Sequence, residues 1–218
     1  MKILHLSDFN CPYSYIGLNR LKDALSELDL DAEWEMRSFE LEPNARNLST
    51  IDRHSIRHGL SREDAIKEIE EIEEIARSEG LDINYGEMVI NSSRDAHRLV
   101  KYVQENHPEA SEELVLKIFE SNLILNENIA SHEVLLNIAA SCGLDEDEIA
   151  EFLKSESLKI EVYLDADEAI SNGISTVPYY FIEHDGERLI VPGVFEKESF
   201  KTAFRDLLSG EMKEKTFL

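Results

Sequence analysis

Apolar residues alternate imperfectly at Ile3, Leu4, Leu6 and Phe9, and turn-forming residues follow, which predicts a short buried strand over Lys2 to Phe9. Pro12 then suits a first helical turn, because its missing N–H has no intrahelical partner to lose there. Tyr15, Ile16, Leu18, Leu21, Ala24, Leu25 and Leu28 recur at three- and four-residue spacings and extend this helix from about Pro12 to Leu28. Alternation returns over Asp31 to Phe39, with Ala32, Trp34 and Met36 on one face. The opening reads β-α-β.

From Pro43 onward the periodicity is almost wholly helical for more than a hundred residues. One helix starts at Ser61, buries Ile66, Ile69, Ile72, Ile75 and Ala76, and stops at Gly80. Ser92 or Ser93 caps the next, which turns Ala96, Leu99, Val100 and Val103 inward and ends before Pro108. Ser111 to Leu123, Ser131 to Cys142 and Asp145 to Leu153 follow as three more. After a further helix, strand texture reappears at Val177 to Glu183, turns at Asp185-Gly186 and returns over Arg188 to Val191. A last helix, Lys197 to Leu208, stops at Gly210. The order β-α-β, helical block, α-β-β-α predicts an α/β thioredoxin fold with an inserted all-helical domain. Residues 1–43 and 158–218 form the thioredoxin-like part, and 44–157 the insertion.

Composition narrows the chemistry. The chain has 218 residues, 42% of them hydrophobic, enough to bury a core without disulfide or metal staples. Its formal charge of -24, from 46 acidic against 22 basic residues, repels phosphate backbones and anionic lipid, so nucleic acid and membranes are not expected partners. The glutamates at 68, 70, 71, 73 and 74 fit a solvated helix face better than a ligand cluster. No signal-like or membrane-spanning run is present, and only Cys11 and Cys142 occur, which together predict a cytoplasmic protein in a reducing compartment.

Cys11 stands where a strand ends and a helix begins. Unpaired N–H groups and the positive end of the helix dipole favour a thiolate there, which predicts a lowered pKa and a nucleophilic sulfur. The alternative is a cysteine that packs as a small hydrophobe. Ser14, one turn on, either donates a hydrogen bond to that thiolate or bonds only the first-turn backbone. Cys142 closes an apolar helix and reads as a packing or cap residue. His54 and His58 lie four apart with no further ligand positioned by sequence, and the other histidines are scattered, so no metal is expected.

The segment Ser7-Asp8-Phe9-Asn10-Cys11-Pro12-Tyr13-Ser14-Tyr15-Ile16-Gly17 resembles the active-site opening of DsbA-like thioredoxin-fold oxidoreductases of the FrnE type. So do Asn91 to Leu99, Ile138 to Leu144, Gly173 to Phe181 and Pro192-Gly193, in the same order along the chain. The resemblance implies a cis peptide before Pro178, with Thr176-Val177-Pro178 held against Cys11 and able to pair with an extended client. It implies Cys11, Ser14 and Pro178 as the catalytic set, with Pro12, Tyr13, Thr176, Val177, Asn91 and His97 lining the substrate cleft. Dithiol members carry a second cysteine where this chain has Ser14. The related kappa-class glutathione transferases and 2-hydroxychromene-2-carboxylate isomerases instead place a serine at the position of Cys11, facing glutathione. Three readings follow: a single-cysteine disulfide oxidoreductase using client thiols and glutathione or another small thiol as co-substrate; a glutathione-dependent transferase or isomerase; and a non-enzymatic adaptor for proteolysis. No bound cofactor is implied, and monomer and homodimer both remain open.

Overall fold

The computed structural model is described for residues 1–210. In chain order its elements are β1 (Lys2–Ser7), α1 (Pro12–Glu27), β2 (Glu33–Ser38), β3 (Leu48–Ser49), α2 (Thr50–His58), α3 (Arg62–Ser78), β4 (Val89–Ile90), α4 (Arg94–Asn106), α5 (Pro108–Leu123), α6 (His132–Ser141), α7 (Glu146–Lys154), α8 (Lys159–Ser171), β5 (Tyr179–His184), β6 (Glu187–Pro192) and α9 (Lys197–Ser209). The main sheet has the order β2-β1-β5-β6. β1 and β2 are parallel, as a crossover through α1 requires, while β5 is antiparallel to β1 and β6 to β5. Asp185 and Gly186 both adopt positive φ, 48° and 86°, the backbone that a two-residue hairpin turn needs.

The two faces of the sheet carry different helices. Ile3, Tyr180 and Ile182 share a core with Leu18 and Leu21 of α1 and with Phe200 and Phe204 of α9. On the other face Leu6 packs with Ala169 of α8, Ile174, Val177, Phe39 and Cys11. This is the α/β thioredoxin arrangement with helices inserted between β2 and α8. The inserted segment departs from the all-helical expectation in one respect: β3 and β4 pair antiparallel, Leu48 with Ile90 and Ser49 with Val89. The helix α2 was not anticipated either. Its only isoleucines are Ile51 and the exposed Ile56, so periodicity gave no signal, although Ser49 caps it by accepting from Asp52 N–H and Gly59 ends it in the left-handed region. Helix α5 begins at Pro108 rather than Ser111. The expected terminal part of the thioredoxin-like region at 211–218 lies outside the described residues.

Long polar side chains tie these layers together. Buried Arg20 of α1 reaches Glu79 after α3 at 2.7 Å and Glu196 before α9 at 2.9 Å. Arg98 of α4 donates to the carbonyls of Ser155 and Ser157, at 2.7 and 2.8 Å, and so fixes the turn from α7 to α8. At Gly17, α1 packs tightly against the sheet. A Cβ there lies 2.5 Å from the Tyr180 hydroxyl and 3.3 Å from Pro178 Cγ. Alanine gains roughly 1 kcal/mol over glycine in a helix interior, but overpacking costs about 1 to 3. Gly17→Ala is therefore expected to lower stability by up to about 2 kcal/mol net, seen as a lower urea midpoint; a raised midpoint contradicts this close contact.

Candidate active site

The candidate site is built where β1, α1 and the loop before β5 converge. Cys11 is the N-cap of α1, in extended backbone at φ -103° and ψ 110°, with Pro12 in the first helical turn. Its backbone N–H donates to Asp8 O and its carbonyl accepts from Ser14 N–H, both at 3.0 Å, so the sulfur is presented from a fixed turn. The Val177–Pro178 peptide bond is cis. Cys11 Sγ donates to the Val177 carbonyl at 3.6 Å. Thr176 is exposed beside it, Tyr13 is half-buried, and Pro12, Ser14, Val177 and Pro178 are buried. These residues come together around the sulfur.

The electrostatics overturn the expected acidity of Cys11. The residue is only 6% exposed, and burial pushes its thiol above the ordinary value because a thiolate there would lose its hydration. The side chain and backbone N–H of Ser14 act against this and favour the thiolate, the Asp8 carboxylate opposes it, and the Tyr13 N–H again favours it. The Ser14 hydroxyl makes no hydrogen bond of ordinary geometry, so its influence falls short of a full bond to sulfur. Donation to Val177 O further favours the protonated form. At this sulfur burial outweighs the helix-start N–H groups.

Asn91 and His97 are engaged behind the sulfur. Asp8, fully buried, accepts from Ser93 Oγ at 2.7 Å, from Leu41 N–H at 2.7 Å and from Asn10 N–H at 3.2 Å, while His97 Nε2 stands 3.6 Å away. Burial alone raises the Asp8 carboxyl, but the neighbouring His97 ring, the Ser93 hydroxyl and the Leu41 N–H more than offset it and hold it below the usual carboxylate value. Asn10 donates to the Asn91 carbonyl at 2.9 Å and accepts from Asn122, which also donates to Phe9 O at 2.9 Å. The Asn91 side chain binds Asn47 N–H and Val89 O. Ser93 is the N-cap of α4 and its carbonyl accepts from His97 N–H, but its hydroxyl donates to Asp8 rather than capping, and it is Ser92 Oγ that accepts from Arg94 N–H at 3.3 Å.

Sequence reasoning also missed a group on α2 and the loops beside it. Arg53, 9% exposed, is held by Glu42 at 2.8 Å and, with buried Tyr85, lies in the electrostatic neighbourhood of Cys11. An acidic partner does meet the His54/His58 pair: Glu68 Oε2 is 2.8 Å from His54 Nε2, and the two imidazoles are 4.5 Å apart. Among the described residues no group of side chains is arranged to hold a metal ion. Cys142 is a half-buried C-cap of α6 with a thiol raised by burial, and both cysteines are free. A cavity of about 1020 Å³ opens on the sheet face bearing Leu4 and Phe181, beside α8, and does not include Cys11.

A cysteine at the N-cap of α1, after the inner strand β1 of a β2-β1-β5-β6 sheet and facing the carbonyl before a cis-proline, is the arrangement of a thioredoxin-type domain. The chain belongs to the DSBA-like thioredoxin domain family, whose model matches residues 2–205. Among solved structures it is similar to a probable DsbA oxidoreductase from Streptomyces coelicolor, with 26% identity and a TM-score of 0.84 over 100% of this chain and 94% of that one. The cytosolic disulfide reductase DsbM from Pseudomonas aeruginosa shares the fold, at 16% identity and TM-score 0.66 over 96% and 99% of the two chains. A 2-hydroxychromene-2-carboxylate isomerase does likewise, at 15% identity and TM-score 0.69 over 97% and 98%. No curated protein matches the chain. Among the described residues no helix is long and apolar enough to cross a membrane.

Proposed function

We propose that this chain is a cytoplasmic thiol-disulfide oxidoreductase of the FrnE type that acts through Cys11 alone. The observation that carries the reading is the 3.6 Å contact of Cys11 Sγ with the Val177 carbonyl, with Ser14 where a resolving thiol would stand. An extended client pairing with Val177 O takes over that carbonyl and releases the sulfur from its hydrogen bond. The Cys11 thiolate attacks one sulfur of the client disulfide, forming a mixed disulfide and expelling the other client sulfur as thiolate. Glutathione or another small thiol, as thiolate, then attacks the Cys11 sulfur and expels the client thiolate, leaving the small thiol disulfide-bonded to Cys11; a second small thiol attacks the outer sulfur, leaves as the oxidised small-thiol disulfide and restores the Cys11 thiolate. Pro12 and Tyr13 flank the sulfur and Thr176 borders the client strand. Asn91 and His97 act through the Asp8 network rather than by touching substrate.

The elevated thiol makes a pH prediction. Below its pKa the thiolate fraction rises tenfold per unit, so exchange with oxidised glutathione should accelerate about tenfold per pH unit across the neutral range. Stopped-flow detection of glutathionylated protein reads this directly, with Cys11→Ala as the null. A rate already flat at pH 7 would mean an acidic thiol, and no exchange at any pH would remove the oxidoreductase reading. Tight calorimetric binding of reduced glutathione to Cys11→Ser in the absence of exchange would favour transferase or isomerase chemistry. Retention of the cellular phenotype by Cys11→Ala would favour an adaptor.

A further inference from the structure

A strand at the edge of a sheet presents unpaired N–H and C=O groups, which proteins either blunt or pair. The two edges of this sheet differ. On β2, Met36 N–H donates to Gln104 Oε1 at 2.7 Å and Met36 O accepts from Gln104 Nε2 at 3.1 Å, while Ser38 N–H donates to the Asp165 carboxylate at 3.0 Å. Side chains close that edge. On β6 the Asp185-Gly186 turn makes His184 and Glu187 the first hydrogen-bonded pair, so Glu187, Leu189 and Val191 bond β5. Gly193 continues this phase by donating to Pro178 O at 2.9 Å. Arg188, Ile190 and Pro192 turn their backbone groups outward, and among the described residues no strand and no side chain takes them. Side chains are also left open at this edge. Leu4, Phe181 and Ile190 align across β1, β5 and β6 on the face that carries the 1020 Å³ cavity, and the row runs out at Ile190, which is 44% exposed. Within these three strands Lys2 and Arg188 balance Glu183 and Glu187, so a chain of formal charge -24 presents an edge without excess acid.

We propose that β6 pairs antiparallel with β6 of a second copy of this chain, across a two-fold axis at Ile190, joining the two four-stranded sheets into one. A strand paired antiparallel with itself makes an isologous contact, which closes at two copies. In this register the Ile190 N–H and C=O groups exchange bonds with those of the other Ile190, and each Arg188 N–H donates to the Pro192 carbonyl opposite. Pro192 stands at the end of its strand, where its missing N–H costs one ladder bond. The apolar row then runs unbroken through both copies, with Ile190 against Ile190 at its centre. A slip of two residues sets Ile190 against Arg188 or Pro192 and breaks the row, so the register is specified. This self-matching row and the balanced charge favour a second copy over a foreign strand. Because the paired strands run in opposite directions, the two Cys11 sites lie at opposite ends of the joined sheet and neither covers the other.

Sedimentation of the full chain over a range of concentrations tests the pairing without any thiol chemistry, so its failure is separate from failure of the Cys11 reading. A monomer–dimer equilibrium is expected for the wild type. Ile190→Pro removes an N–H that β5 does not use, and should raise the dissociation constant at least about tenfold while the β5–β6 ladder persists. Ile190→Lys keeps the backbone and sets like charges opposite each other at the axis, with the same expected loss. Hydrogen exchange of the wild type is the second readout and decides the matter even if a variant fails to fold: the Arg188 and Ile190 amides should slow as concentration rises. A wild type that stays monomeric at millimolar concentration overturns the proposal, as does a dimer that both folded variants retain. Amides at 188 and 190 already protected in the dilute monomer would mean that the chain covers its own edge. Protection that appears only with an added client peptide would assign the edge to clients, and either result overturns the second copy.

Discussion

Asp8→Ala is expected to lower stability by about 3 to 5 kcal/mol, the cost typical of breaking a buried, hydrogen-bonded charge network from one side. The carboxylate is fully buried and serves three donors from three places: Asn10 N–H in its own turn, Leu41 N–H after β2 and the Ser93 hydroxyl before α4. Removing it leaves the Ser93 and Leu41 groups buried without an acceptor, and the junction between β1 and the inserted helices loses its centre. Asp8→Asn keeps an acceptor oxygen and should cost less. Acid should mimic the loss. Because the native carboxyl is held below its ordinary 3.8, its contribution is complete above that value and disappears as the pH falls through the lower native pKa. Urea unfolding at pH 7 and at pH 3 checks both statements: the wild-type and Asp8→Asn curves should draw together in acid. Equal stability of Asp8→Ala and wild type at pH 7 would show that the network is not structural. The same substitution to asparagine removes a charge that opposes the Cys11 thiolate, so the Cys11 midpoint should fall.

Local signals carried the elements around the site and failed on what distant chain segments contribute. Pro12 in the first turn of α1 marks the helix start with Cys11 as cap, and Asp185-Gly186 marks the β5–β6 turn; both depend only on backbone preferences of neighbouring residues. The acidity of Cys11 does not. It depends on Val177, which lies 166 residues away, and on the apolar group of Leu6, Phe39 and Ile174, so a helix-start argument predicts the wrong direction. Ser93 shows the same limit in part: it stands at the N-cap of α4 as read, but its hydroxyl goes to a carboxylate 85 residues earlier and Ser92 Oγ takes the Arg94 N–H. Helix α2 failed for a different reason: its cap residues Ser49 and Gly59 were readable, but too few apolar positions recur in it to draw attention. Arg53 and the His54–Glu68 contact were hidden with it.

The wild-type protein, without any engineered trapping mutation, should accumulate Cys11 mixed disulfides under mild oxidation, and Ser14→Cys should abolish the accumulation. In a dithiol site the second sulfur attacks intramolecularly, with effective concentrations that for well-oriented groups reach about 10⁵ M and more. Millimolar external thiol cannot match that. Ser14 N–H bonds the Cys11 carbonyl at 3.0 Å, so the two residues share one tight turn, and cysteines three apart at a helix start approach the ~5.5 Å Cα separation that a disulfide prefers. Both side chains are buried in the same place, which shields the mixed disulfide from solvent thiols and slows its release in the wild type. A cysteine at 14 would be on the inner side of that shield. Non-reducing mass spectrometry after exposure to oxidised glutathione, followed over time at fixed pH, should show adduct at Cys11 in the wild type and an internal disulfide with at most a tenth of the adduct in the variant. Equal adduct in both would mean that Ser14 does not control resolution. In that event an external thiol reaching Cys11 from the exposed Thr176 side releases the adduct equally in both proteins, and position 14 is not where a resolving thiol acts.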